Sequence, residues 1–407
     1  MNKLSIKKYN IGFDSIIYGI YASIIPLNMI MNFTGATINK LVGIVASGLM
    51  ILHVVFRGKY KHYKNPNYGL IIYVFISVIS VAWSINQSLS LFAMRTLFSL
   101  ILIYVAGKMR EFNYRELFVI CVEMIIVAAI IPFFFNIDTT VSYSRSTLVN
   151  DNGSADQNGL AFNLVFVAIL ALDLFFSLGN KMLKVLMAMA TILILIGIVL
   201  TGSRGALVGL FSSLLFYLIK KFPSLKKKKS FWGTVLLIVL AFIIGIYYLE
   251  NIISDALLRR FSLESLIHDR GSGRLDIWLR GLDLIVSNPL RCLFGFGYGT
   301  QKYVFYESFG YYAAAHNVFL QVWFETGIIG LFFFVWGLFK FWMMAIKQKN
   351  YVSNALWIAM FFALFTLNFG TNKGTWNIFL LIYLFSLNSN FSNNITITKN
   401  NKNSLMF

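Results

Sequence analysis

Apolar runs long enough to cross a bilayer recur along almost the whole chain, and nothing else in the sequence constrains the fold so strongly. They lie near 14–33, 38–56, 68–84, 89–107, 115–135, 158–178, 183–201, 204–219, 231–249, 316–339, 353–370 and 374–388. About 20 apolar residues in a helix match the hydrocarbon thickness. A segment inside lipid must also satisfy its own backbone hydrogen bonds, which an α-helix does. Only 13% of the residues are charged and 58% are hydrophobic, where an ordinary soluble domain carries about 25% charge. The expected fold is therefore all-α: a polytopic integral membrane protein of about twelve transmembrane helices.

The formal net charge of +19 would suggest nucleic acid on a soluble chain, but its distribution reads as membrane topology. With the N-terminus inside, the inner segments carry Lys3, Lys7 and Lys8, then Arg57, Lys59, Lys61 and Lys64, then Lys108, Arg110 and Arg115. Further along they carry Lys181 and Lys184, Lys220, Lys221 and Lys226–Lys229, then Lys340, Lys347 and Lys349, with Lys399 and Lys402 in the tail. The short outer loops hold only Lys40, Arg145, Arg204 and Lys373. The positive-inside rule then puts both termini in the cytoplasm. The basic N-terminus leads into an uncleaved first helix, and Cys121 and Cys292 imply neither a disulfide framework nor a metal site. One outer segment, 250–315, is long and balanced in charge, and a loop of that length points to function. The chain divides into 1–157 (the first five helices and an outer loop), 158–249 (four central helices), 250–315 (the large outer loop, with amphipathic helices), 316–388 (the last three helices) and a disordered, Asn-rich tail, 389–407.

Three outer-face residues stand out chemically. In Thr201-Gly202-Ser203-Arg204-Gly205, Ser203 is a natural N-cap, which places Arg204 in the first helical turn. A cation there opposes the helix dipole unless an anion is nearby; the alternative is an interfacial Arg that reaches for headgroups. Gly205 and Gly209 allow close helix approach. Gly271-Ser272-Gly273-Arg274 opens an amphipathic helix whose stripe is Leu275, Trp278, Leu279, Leu282, Ile285 and Val286. Arg280 pairs with Asp276 and Asp283 by spacing. Arg274, beside Ser272 at a glycine-flanked helix start, suits a phosphate; the alternative is a solvated loop cation. His316 stands where the long loop meets the next span and could accept a proton from a hydroxyl, or only cap the helix. Asn317, Gln321 and Glu325 follow at i, i+4 and i+8, a polar stripe running down into the bilayer. Gly295-Phe296-Gly297-Tyr298-Gly299 lacks a strand–turn–helix setting for dinucleotides and reads as a flexible aromatic loop.

These stretches together resemble the O-antigen ligase and O-antigen polymerase superfamily of bacterial envelope proteins. The matching segments are Thr201–Gly209, Gly271–Trp278, Asn288–Thr300 and His316–Gly327, with Asp156–Ala161 as a fainter element; the first five spans match only in character. The resemblance implies a GT-C-like glycosyltransferase of the inner membrane, metal-independent and inverting, with its active site on the periplasmic face and no cofactor. The donor would be an oligosaccharide on undecaprenyl pyrophosphate, and the acceptor another glycan or lipid A–core. A chain-length regulator is a further partner it allows. Arg204 and Arg274 would engage the pyrophosphate, His316 would assist the acceptor hydroxyl, and Ser272, Asn317, Gln321 and Glu325 would complete the binding site. Polymerase is the first reading and ligase the alternative. A flippase-type transporter would show internal symmetry and broken helices, neither of which is visible in the sequence.

Overall fold

A computed structural model describes residues 11–27, 32–33, 36–57, 66–138, 145–147, 149–150, 153–154, 156–225, 273–348, 350–367 and 373–388, with 391 and 395. The expected span at 231–249, Ser272, Lys226–Lys229 and the tail beyond 395 lie outside them. Helices α1 (Phe13–Ile24), α2 (Ile38–Arg57), α3 (Tyr68–Ile79), α4 (Gln87–Arg110) and α5 (Tyr114–Ile130) form the first half. The helices α6 (Gln157–Ser177), α7 (Lys181–Leu200) and α8 (Arg204–Leu225) follow. Next come three short helices, α9 (Arg274–Val286), α10 (Pro289–Phe294) and α11 (Gln301–Phe309). Then α12 (Val318–Lys347), α13 (Tyr351–Leu364) and α14 (Lys373–Leu387) close the bundle. Three two-stranded antiparallel ladders, such as Asn136–Asp138 with Arg145–Thr147, are the described exceptions to helix. Among the described residues six helical segments are long and apolar enough to cross a membrane, and four more apolar helices are shorter.

The many asparagines have a local use. Asn67, Asn86, Asn113, Asn180, Asn288, Asn317 and Asn350, with Asp156, each accept a first-turn backbone N–H as N-caps, an interaction worth about 1 kcal/mol apiece. Tertiary packing centres on α6, 83% of whose apolar window is buried against at most 44% in any other candidate span. Around it, small residues permit contact without a hydrophobic driving force. Gly205 packs on Thr366, Gly209 on Phe162 and Phe362, and Gly69 on the Gly337 backbone.

Helix α12 corrects the expectation of one unbroken span. Gly327 sits inside it at φ 72°, ψ −179°, so the chain forms an upper segment, 318–326, and a lower one, 328–347. The lower segment alone suffices to cross a bilayer at 1.5 Å per residue, so the Asn317–Gln321–Glu325 stripe stays in the upper segment. A broken helix, absent from the sequence reading, is thus present. The freed carbonyls are recaptured: Phe296 N–H donates to Phe324 O (2.8 Å) and Gly297 N–H to Glu325 O (3.0 Å). A Cβ at Gly327 would overlap the Leu293 carbonyl, and one at Gly295 the Glu325 backbone.

The glycine run 295–299 is therefore a packed joint and not the flexible loop expected. It is sewn to the first half of the chain as well. Ile85 N–H donates to Phe296 O (3.1 Å), Tyr298 N–H to Ser80 Oγ (3.0 Å), and Ser90 Oγ to Tyr298 O (2.7 Å). Helices α9–α11 and the upper segment of α12 enclose a second small core of Ile285, Val304, Phe305, Ala313, Ala315, Leu320 and Phe324.

At the opposite, expected cytoplasmic ends, Arg110 and Lys221 form ion pairs with little exposure, and His53 hydrogen-bonds a carboxylate. Arg110 Nε lies 2.5 Å from Asp14 Oδ2 and its guanidinium also binds Glu116, while His53 Nδ1 is 3.1 Å from Asp14 Oδ1. Lys221 Nζ reaches Asp173 Oδ1 at 2.5 Å, joining α8 to α6.

Candidate functional site

Arg204, Arg274 and His316 stand at or just before the starts of three different helices, α8, α9 and α12. Arg204 opens α8, after a turn in which Gly202 has φ 61°. The buried Ser203 hydroxyl donates to Asn158 Oδ1 (2.8 Å), and Asn158 belongs to the Asp156–Ala161 element, so that faint stretch holds the turn before Arg204. The neighbouring Gly205 abuts Thr366, next to Phe365, whose ring lies tilted against that of Phe319 on α12, centroids 5.1 Å apart. Arg274, partly exposed, begins α9 after Gly273 at φ 75°. One turn on, Trp278 Nε1 donates to the carbonyl of Ala315 (2.7 Å), the residue before His316.

Between α9, α12 and Phe365 lies an apolar groove of about 370 Å³, lined by Trp278, Leu282, Asn317, Phe319, Trp323 and Phe365 among others. Asn317 serves as the N-cap of α12, accepting from Phe319 N–H (3.0 Å) and Leu320 N–H (3.2 Å), and also faces the groove. His316 itself has φ 46°, a region that non-glycine residues enter at a cost and keep only when the surroundings fix them.

Gln321 and Glu325 are engaged inside the layer. Gln321 Nε2 donates to Glu325 Oε1 (3.0 Å), and the carboxylate of Glu325, 3% exposed, faces the backbone amides of Gly299 and Gln301. Its carboxylate thereby sits at the N-terminus of α11, where the dipole favours negative charge. Tyr298 is enclosed next to it; burial first, then the neighbouring Tyr73 and Glu325, push its phenol well above the ordinary range.

Helix α9 differs from its expected packing in two respects. Its inner face is Ile277, Trp278, Gly281, Leu284 and Ile285, while Leu275, Leu279 and Val286 of the expected stripe remain exposed. Arg280, expected to pair with Asp276 and Asp283, lies over the Phe309 ring at 5.3 Å from its centroid. Sequence reasoning also passed over Gln301 and the serines at 80, 84 and 90 that tie the joint, which nothing local marks, and took Asn158 only as part of the Asp156–Ala161 element. Among the described residues no three His, Cys, Asp or Glu side chains cluster as metal ligands do.

Apolar helices, a broken helix at one end and a polar layer gathered over it define a membrane protein whose candidate site lies at the end of the bundle. Residues 189–335 match the family model described as O-antigen ligase, a span that runs from the second half of α7 through α8 and the α9–α11 layer into α12. The resemblance read from the sequence is borne out over these residues, and the domain supports a role in glycan processing at the membrane. No curated protein matches the chain.

Proposed function

We propose that the chain is an inner-membrane glycosyltransferase of about twelve spans that acts on the periplasmic face, taking a glycan from undecaprenyl pyrophosphate. The observation that carries this reading is the O-antigen ligase match over 189–335, which contains Arg204, Arg274 and His316 together. In the proposed reaction the acceptor hydroxyl attacks the anomeric carbon from the face opposite the pyrophosphate. The new glycosidic bond forms as the bond from that carbon to the pyrophosphate oxygen breaks, and the configuration inverts. His316 takes the hydroxyl proton. Arg204 and Arg274 stabilise the charge growing on the departing pyrophosphate, with Ser272 beside Arg274. No metal is needed for these steps. The groove beside Asn317 suits the carrier's apolar chain, because its walls are aromatic and aliphatic. Gln321 and Glu325 support the layer from within.

The same chemistry serves two acceptors. Polymerisation, the transfer of a growing chain onto the next lipid-linked repeat unit, is our first reading, on the Asn-, Lys- and Ile-rich composition and the divergent first half. The alternative is ligation of a finished chain to lipid A–core, and the matched family is compatible with both. Deletion in the native host followed by separation of surface and lipid-linked glycans tests both. Loss of a polymerase leaves single repeat units on the acceptor, and loss of a ligase leaves long chains on the carrier. An unchanged glycan profile would refute the proposed function.

A further inference from the structure

We propose that Gln301 is a positioning residue that holds His316 in its left-handed backbone conformation, acting through the backbone of residues 313–315. The inference rests on the reading of His316 as the group that accepts the acceptor's proton.

Gln301 is 3% exposed, and both ends of its amide are used on the strand that leads into His316. Its Nε2 donates to Ala313 O (3.1 Å), and its Oε1 accepts from Ala315 N–H (3.2 Å). From the other side Trp278 Nε1 donates to Ala315 O (2.7 Å). The peptide plane before Ala315 is thus fixed by Gln301, and the plane joining Ala315 to His316 by Trp278. Beyond His316 the chain is fixed again, because the Asn317 side chain caps α12. A residue at φ 46° between two such anchors cannot relax into the ordinary region without breaking one of them.

Gln301 is itself anchored. Its backbone amide, with that of Gly299, faces the Glu325 carboxylate, to which Gln321 donates. A set of polar contacts therefore runs from the polar stripe of α12, past the start of α11, to the approach to His316. Buried networks of this kind fix geometry when every member is satisfied. A base displaced by about 1 Å can lose on the order of a hundredfold in rate, so such a support has a kinetic consequence.

The test uses the full chain in lipid nanodiscs. Gln301→Met keeps the length and removes both hydrogen bonds; Gln301→Glu keeps the acceptor for Ala315 N–H; Trp278→Phe removes the donor on the other side. One readout is the rate at which diethyl pyrocarbonate modifies His316, resolved by peptide mass spectrometry, with His53 beside Asp14 as internal reference. The other is transfer kinetics with a polyprenyl-pyrophosphate glycan. Gln301→Met should change the His316 modification rate by about threefold or more while His53 is unchanged, and should lower kcat about ten- to a hundredfold with KM held. Gln301→Glu should fall between it and the wild type. If Gln301→Met does not fold, Trp278→Phe carries the same expectation for His316. An unchanged His316 rate in a folded variant overturns the proposal, as does an unchanged kcat. If the wild type shows no transfer, the function assigned above fails, and the modification rates alone decide whether Gln301 positions His316.

Discussion

At the scale of the residue, three side chains that share no local sequence pattern stand at or just before the starts of three helices. If Arg204 and Arg274 clamp a pyrophosphate, Arg204→Lys and Arg274→Lys should each lose most transfer activity, because lysine keeps the charge but not the planar two-pronged donor. Arg280→Lys should be tolerated, since an ammonium can also lie over the Phe309 ring. Turnover of a lipid-linked glycan by the purified variants measures this. His316 offers a sharper separation of stability from chemistry. Its φ of 46° suits glycine, so in His316→Gly the relieved strain offsets the added unfolded-state entropy, and thermal stability should stay within about 1 kcal/mol of the wild type. The same variant should lower turnover about a hundred- to ten-thousandfold. These residues stand out in the sequence through charge, glycine neighbours and position beside an apolar run. Gln301 does not, because its partners lie twelve and fourteen residues on and a glutamine opening a short polar helix looks like any surface residue.

At the scale of the element, helix positions were legible because lipid solubility and backbone pairing dictate them, and the described helices begin where the apolar runs do. The break in α12 was not. Gly327 lies in an apolar stretch with Gly330 and Gly337, where glycine commonly serves close helix packing, as Gly337 does against Leu70. Only the approach of the Leu293 carbonyl, from the glycine-rich joint, shows that Gly327 turns the chain. Gly327→Ala should therefore cost about 3 kcal/mol, from a positive φ and a carbonyl that must move. Gly330→Ala meets only the Thr326 side chain and should cost less. Melting of the detergent-solubilised variants compares the two.

At the scale of the whole molecule, the basic residues that set topology in the sequence have a second use which only long-range contacts disclose. Arg110 is 7% exposed and binds Asp14 and Glu116, tying α1 to α4 and α5. Removing it leaves two carboxylates buried beside each other, so Arg110→Met should destabilise the protein by about 3 kcal/mol or more. Arg57→Met, at an exposed position, should leave the melting temperature unchanged. The first five helices, which carried no recognisable motif, are likewise drawn into the site layer: Ser80, Ile85 and Ser90 bind the joint at 296–298, and Trp83 Nε1 donates to Phe294 O (3.0 Å). The two halves of the chain are consequently not interchangeable modules. A chimera that replaces residues 1–150 with those of a relative should fail to fold even though every motif of the second half is intact. Keeping this chain's own 80–93 within the graft should restore expression, so divergence in the first half is constrained at that hairpin, where a change on one side must be answered by a change on the other.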